Sequence, residues 1–321
     1  MITFTLSRTA GDPVAIYTDP QMSAEQIEKI RDMYHFNDPI YVQYFYYLQG
    51  IFRGDLGYSV IMGIPVSEVI IRLFPATIEL AMYSWSLAFV VGVILGTKSA
   101  VGKDKVIDHS SRVIAITGYS MPTFWLGLVL LFIFYFWFGI LGPGRLDNLI
   151  YHTHFPPLGS FRTYTGLYTI DAILNLDWIV FFDAVKHLIL PVVILAWGNL
   201  AIITRIMRSS MLEVLGKEFI KTAKAKGLSD KSVINEHARK NALIPTITAA
   251  GLSFAFLLSG VVMIEEIFNW PGLGSWAARS AISLDHAGIL GFVLLVGAIY
   301  SFSNLVVDVL YVYLDPRIRL N

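Results

Sequence analysis

Residues able to do covalent or redox chemistry are scarce in this chain, and their spacing assembles none. There is no cysteine, hence no thiolate nucleophile, no disulfide and no cysteine-based metal site. No glycine-rich loop ends in Lys-Ser or Lys-Thr, so no segment is built to cradle nucleotide phosphates. His152 and His154 stand two apart in a stretch rich in Gly, Pro, Tyr and Asp, but a metal site needs further ligands at suitable distances, and soft ones are lacking. They are read as ordinary loop histidines, with no metal. Asp308 lies in the last apolar run beside Asn304, nine residues before Arg317, a position that suits pairing near a membrane face. What the chain offers instead is concentrated charge, in the stretch Lys217 to Pro245, KEFIKTAKAKGLSDKSVINEHARKNALIP. Its chemistry is that of a surface rather than of a reaction centre.

From Glu218 to Lys226 the stretch consists almost entirely of good helix formers. On helical spacing Lys217, Lys221 and Lys224 share one face, and Phe219, Thr222 and Ala223 form a small-sided, slightly apolar one. Gly227 can take the positive φ of a helix stop, and Ser229 can cap a new helix. A second pattern, Val233, Ile234, His237, Ala238 and Asn241, runs on to Pro245. Two readings compete. A basic helix can rest on anionic lipid headgroups; two short helices joined at a glycine can also form a compact surface that another protein approaches closely.

The elements that position this segment are apolar. Of 321 residues 55% are hydrophobic and 15% charged, and mean hydropathy is +0.61. Soluble domains carry more charge, so the composition points to a multi-span membrane protein without a soluble linker. A net charge of zero excludes a strongly basic nucleic-acid binder. Five runs are free of charge: Leu80 to Thr97, Val113 to Gly144, Leu188 to Thr204, Asn241 to Ile264 and Ala287 to Val307. Each is long enough to span, or nearly so. Lys98, Lys103, Lys105 and Arg112 follow the first run, and nine Lys and Arg between Arg205 and Lys240 follow the third. The alternate loops carry only Arg145, Arg162 and Arg279, with Lys186 at the edge of the third run, so the basic loops and the C-terminus, with Arg317 and Arg319, are expected in the cytoplasm. Within the runs, Asn199, Ser253 and Ser259 could line a translocation path; Thr246, Thr248, Gly251 and Gly260 fit close helix packing.

Ahead of the spans, Ser23 to Tyr34 reads as an amphipathic helix with Ser23 as cap and Gln26 at the capping-box position. Tyr41 to Phe52 is aromatic and suits an interface. Phe52-Arg53-Gly54-Asp55-Leu56-Gly57-Tyr58-Ser59 reads as a turn. The apolar start, Ile2 to Leu6, is too short to cross a bilayer and lacks a signal-peptide layout.

Glu218, Phe219, Ile220, Thr222, Ala223, Ala225, Lys226, Gly227 and Leu228, followed by His237, Ala238, Arg239, Asn241, Ala242, Leu243 and Pro245, resemble the cytoplasmic coupling loop of ABC importer permeases. The form is that of the B-type permease of the oligopeptide/dipeptide (peptide/nickel) importers, with Lys221-Thr222-Ala223 where the general pattern has Glu-Ala-Ala. The Gly-Asp-Leu-Gly turn, Gly11-Asp12-Pro13, Glu265-Glu266-Ile267-Phe268, Pro271-Gly272-Leu273-Gly274 and Leu314-Asp315-Pro316-Arg317 resemble the same family; Leu284-Asp285-His286-Ala287 departs from its Arg-Asp-Tyr-Pro. The resemblance covers nearly the whole chain. It implies an all-α polytopic membrane protein of the type I ABC importer permease fold, with six transmembrane helices expected, the first truncated here.

The implied parts are residues 1–13 as the end of that first helix and its loop, 14–74 as an external amphipathic and aromatic region, and 75–321 as the permease domain with a coupling loop at 208–243. Glu218, Phe219, Thr222, Ala223, Ala225, Gly227 and Leu228 are then the ATPase-coupling residues. The implied partners are a second homologous permease, two ATPase subunits, an external substrate-binding protein and membrane lipid, with no nucleic acid. ATP and Mg belong to the ATPase subunits, and this chain binds no cofactor and is no enzyme. The implied cargo is peptides, crossing the cell membrane; oligosaccharides are the alternative within the family. An ion-coupled secondary transporter is the competing class, but it would favour ionisable groups near mid-membrane, and the five runs have none.

Overall fold

The structure, a computed structural model, describes residues 1–9, 11, 12, 14, 17, 18, 21–259 and 261–314, apart from the side chains at 308 and 310–314. Pro13, Gly260, the side chains of Asp308 and Tyr311, and the ending around Arg317 and Arg319 therefore lie outside the described residues. Among these residues the chain is almost entirely helical.

Three helices come first: α1 (Ile2–Thr9), α2 (Ala24–Met33) and α3 (Ile40–Phe52). The capping box is formed as the sequence predicts. Ser23 Oγ accepts from the Gln26 backbone N–H at 3.3 Å, and Gln26 Oε1 accepts from the Ser23 N–H at 2.8 Å. Phe4 of α1 is buried against Tyr44 and Tyr47 of α3, with ring centroids 5.3 and 5.2 Å away. The Gly-Asp-Leu-Gly turn leads into a two-stranded hairpin, β1 (Tyr58–Ser59) and β2 (Ile64–Pro65), with Tyr58 opposite Pro65.

The membrane body follows. α4 (Val66–Val101) is 36 residues long and runs straight through Pro75 rather than starting after it. α5 (Val106–Ser120) and α6 (Thr123–Leu131) come next, and α6 ends in a π-helical turn at Phe132–Trp137. The uncharged run 113–144 is thus not one straight span: α5 and the α6 stretch meet at 96°. The break falls at Met121-Pro122, because proline has no N–H to continue α5 and drives Met121 into an extended conformation, ψ 125°.

Two short helices, α7 (Asn148–His154) and α8 (Tyr168–Leu174), precede the longest element, α9 (Trp178–Leu215), of 38 residues. After α10 (Glu218–Ala225) a short turn, α11 (Asp230–Ser232), continues through a π-helical stretch at Val233–Ala238 into α12 (Arg239–Leu258). Pro245 sits inside that helix instead of ending it. The second of the two expected short helices is therefore the start of a span, continuous over Asp230–Leu258. α13 (Val262–Ile267), α14 (Leu273–Ile282) and α15 (His286–Leu314) complete the chain. Among the described residues four helices are long and apolar enough to cross a membrane, or five if the bent pair counts as one.

α4 and α9 are the spine. They approach closely because α4 presents Gly92 and Gly96 to Ile203, Thr204 and Met207 of α9; a Cβ on Gly96 would stand 2.8 Å from the Thr204 carbonyl oxygen. At one end of this pair lie the links after α4 and α9, with their lysines and arginines. At the other lie the hairpin, the 141–177 connection and α14. The Ala76, Leu80, Leu188, Ile194 and Trp270 core forms near this second end, and the Ala100, Met207, Met211 and Ile220 core at the basic end.

Candidate functional site

The basic segment folds for local reasons. Lys217 is extended, Glu218 occupies the first turn of α10, and Lys221 pairs with it at 2.7 Å. Gly227 takes φ +77° and closes the helix: its N–H donates to the Lys224 carbonyl at 2.9 Å, and the Leu228 N–H to that of Ala223 at 3.4 Å. That pair of bonds is the Schellman arrangement, and it needs the left-handed conformation that glycine adopts freely. Ser229 Oγ then accepts from the Ser232 N–H at 3.3 Å, capping the next turn.

The segment has two faces. Ile220 and Ala223, 1% and 7% exposed, turn inward against Ala100, Met207, Met211, Val233, Ala238 and Ala242. Phe219 and Leu228, 44% and 41% exposed, turn outward, as do Glu218, Thr222, Ala225 and Gly227. The expected face of Phe219, Thr222 and Ala223 is therefore split. Ala223 sits behind the outer surface, where its small side chain lets α10 lie close to the spans. Lys217–Glu213 at 2.8 Å and Lys224–Asp230 at 3.6 Å are exposed pairs, screened by solvent.

The polar candidates inside the spans separate. Asn199 and Ser253 line one cavity of about 700 Å³ between α5, α9 and α12, together with Tyr119, Met121, Phe256 and Ile264. Asn199 Nδ2 donates to the Leu195 carbonyl at 2.9 Å and Ser253 Oγ to that of Ala250 at 2.8 Å. Each thus uses a donor on its own helix and keeps an oxygen able to accept. Ser259 does not join them: it closes α12 by donating to the Phe256 carbonyl at 2.7 Å. Thr246 and Thr248 likewise bond back to Ala242 and Ile244. A second cavity of about 450 Å³ toward the basic end shares Tyr119 and Ile202 with the first, so the two adjoin along α5 and α9.

Three buried charge clusters went unnoticed in the sequence. At the basic end Asp108 accepts from Arg208 Nε and Nη2 at 2.6 and 2.8 Å and from Ser99 Oγ at 2.5 Å, tying α5 to α9 and α4. At the opposite end Glu79 accepts from Arg145 at 2.6 Å and from Thr169 N–H and Oγ1 at 2.9 and 2.7 Å. The Arg145 guanidinium also donates to the Gly166 carbonyl at 2.7 Å and lies 3.7 Å from the Tyr168 ring centroid. Glu265, fully buried, accepts from Thr77 Oγ1 at 2.9 Å and from the Ser275 N–H at 2.8 Å, at the start of α14. Burial pushes its carboxyl above the usual range, and those donors pull the other way. The signal was there: each carboxylate stands within a few residues of an uncharged run. Its partner lies tens of residues away or more, and spacing does not reveal that.

Of the two loop histidines, His154 pairs with Asp177 at 2.5 Å. No group of three or more His, Cys, Asp or Glu side chains that could hold a metal ion stands together among the described residues.

Comparison with known proteins places these features. The model of the binding-protein-dependent transport system inner membrane component matches residues 88–320. A probable D,D-dipeptide transport system permease protein of Escherichia coli K12 is 43% identical over 99% of this chain and 92% of its own. A dipeptide transport system permease protein of Haemophilus influenzae is 42% identical over 99% and 94%. An oligopeptide transport system permease protein of Bacillus subtilis is 35% identical over 99% and 93%.

Proposed function

This chain belongs to the family of binding-protein-dependent transport system inner membrane components, and from that premise we propose that it is a permease subunit of an ABC importer moving peptides across the cell membrane. The observation that carries the reading is α10: a helix docked on α4, α9 and α12 by Ile220 and Ala223, with Phe219, Thr222, Ala225 and Leu228 turned away from the membrane body. Such a helix can receive force from a partner and pass it to the spans.

On this reading Glu218, Phe219, Thr222, Ala225, Gly227 and Leu228 meet a groove on an ATPase subunit, with Ala223 behind them. The basic end faces the cytoplasm, as its lysines and arginines direct, and so does the C-terminus. Two ATPase subunits, a second homologous permease and an external substrate-binding protein complete the importer. ATP and Mg are held by the ATPase subunits, and this chain itself hydrolyses nothing. Asn199 and Ser253 line this subunit's half of the path, whereas Ser259 stands aside. Alternating access follows from the different contacts of α10 with the open and closed ATPase pair. Peptides are favoured over oligosaccharides because the curated relatives carry dipeptide and oligopeptide transport in their names.

The test is reconstitution of the complex in proteoliposomes with its binding protein and radiolabelled dialanine. Uptake that requires ATP and all subunits is expected. Uptake driven by an ion gradient without ATP, or hydrolysis by this polypeptide alone, overturns the reading; uptake of an oligosaccharide in place of dialanine overturns the cargo.

A further inference from the structure

The groove that these two adjoining cavities make along α5 and α9 changes character along its length. Its larger part, around Asn199 and Ser253, is uncharged. Its smaller part, toward the basic end, is lined by Arg112, Arg205 and Arg208 with Ser111, Thr204 and Ser209, and by no acidic residue. The three arginines are not equivalent. Arg208 is held in a two-pronged bond by Asp108, and Arg112 stands 3.7 Å from the same carboxylate and 2.9 Å from His109 Nδ1. One buried carboxylate serves both. Arg205 forms no side-chain hydrogen bond or ion pair among the described residues, and its neighbour Thr204, 3% exposed, has a buried hydroxyl without a partner. The groove therefore ends in three guanidiniums against one carboxylate, with Arg205 the one outside any ion pair among the described residues, beside an unused hydroxyl.

We propose that this end of the groove is a binding site for a carboxylate, and that the carboxylate is the C-terminus of the peptide in transit. The inference rests on the peptide-import reading and adds the direction of travel. A single unpaired guanidinium suits a single negative charge, to which it can donate a charge-assisted hydrogen bond. The ammonium end of a zwitterionic peptide is repelled by the same arginines, so the carboxylate end leads toward the cytoplasm. The oxygens that Asn199 and Ser253 keep free suit the amide N–H groups that follow. Because Arg205 is itself exposed, the contact is screened and releases its ligand, as a path must.

The experiment uses the whole importer in proteoliposomes, radiolabelled dialanine as probe, and the series Arg205→Lys, Arg205→Gln and Arg205→Glu. Co-purification with the ATPase subunits establishes that each variant assembles. Arg72→Gln, an exposed charge far from the groove, controls for net charge and is expected to transport as wild type. The expected order is wild type and Arg205→Lys close together, Arg205→Gln about tenfold lower, the loss of one charge-assisted hydrogen bond, and Arg205→Glu lower still. The loss should fall on the maximal rate, since the binding protein sets the half-saturating concentration. It should be equal in phosphatidylcholine vesicles with and without phosphatidylglycerol.

Wild-type uptake by Arg205→Gln overturns the proposal, as does an Arg205→Lys variant as poor as Arg205→Gln. A defect that appears only with phosphatidylglycerol assigns Arg205 to a lipid phosphate and overturns it too. Failure of the wild-type complex to take up dialanine is a different result, and it strikes the peptide-import reading itself.

Discussion

At the scale of single residues, the two faces of α10 give a sharp test because they are adjacent in sequence. Phe219→Glu changes only the outer surface, so the permease should insert and melt as wild type yet fail to retain the ATPase subunits on purification. Ala223→Glu should instead lower the thermal midpoint in detergent, because it places a charge among Ala100, Met207 and Ile220. The reverse pattern would mean that the segment is inserted the other way round. Sequence reading found the segment, its glycine stop and its serine cap, because those depend on neighbours within five residues. It misassigned Ala223 because a small side chain suits a close approach on either side of a helix. It missed the Glu79–Arg145 pair altogether, since 66 residues separate the partners. Removing one partner strands a buried charge: Arg145→Met is expected to cost about 3–5 kcal/mol. Adding Glu79→Gln should recover part of the lost thermal stability, and a double variant no better than Arg145→Met would show that the pair is not coupled.

At the scale of elements, the α4–α9 contact decides what can move. Gly96→Leu has no space: the new side chain would meet the Thr204 carbonyl and Met207. A loss of about 2 kcal/mol or more is expected, read as a lower unfolding midpoint, and a neutral outcome would show that the two helices slide apart easily. Both helices were legible as uncharged runs, but their true lengths were not. Charge marks where a span leaves apolar surroundings, while the helix itself continues into the aqueous ends, through Pro75 in α4 and past Lys186 and Arg205 in α9. The opposite error occurred at Val113 to Gly144. Hydropathy is blind to direction, so a run of 32 residues looked like one tilted span although Met121-Pro122 folds it by 96°.

At the scale of the whole molecule, the all-helical membrane class and the charged end were readable from composition and the placing of charge; the groove was readable only in part, because Asn199 and Ser253 belong to different helices that only packing brings together. The bend at Met121-Pro122 carries a consequence for solvent. α5 has 15 residues, about 22 Å at 1.5 Å each, and cannot cross a hydrocarbon layer of roughly 30 Å by itself. Gly118 lies against Trp197, so the interrupted backbone sits level with the middle of α9. Peptide groups freed there need donors or acceptors, and lipid offers none. The groove that Met121 lines is the route by which water is expected to reach them. Since the chain has no cysteine, Met121→Cys would be its sole thiol. It should react with a membrane-impermeant maleimide, at a rate that changes when ATP is supplied, whereas a thiol at Phe136, beyond the groove on the far side of the bend, should report no such change. An unreactive thiol at 121 would mean a dry bend.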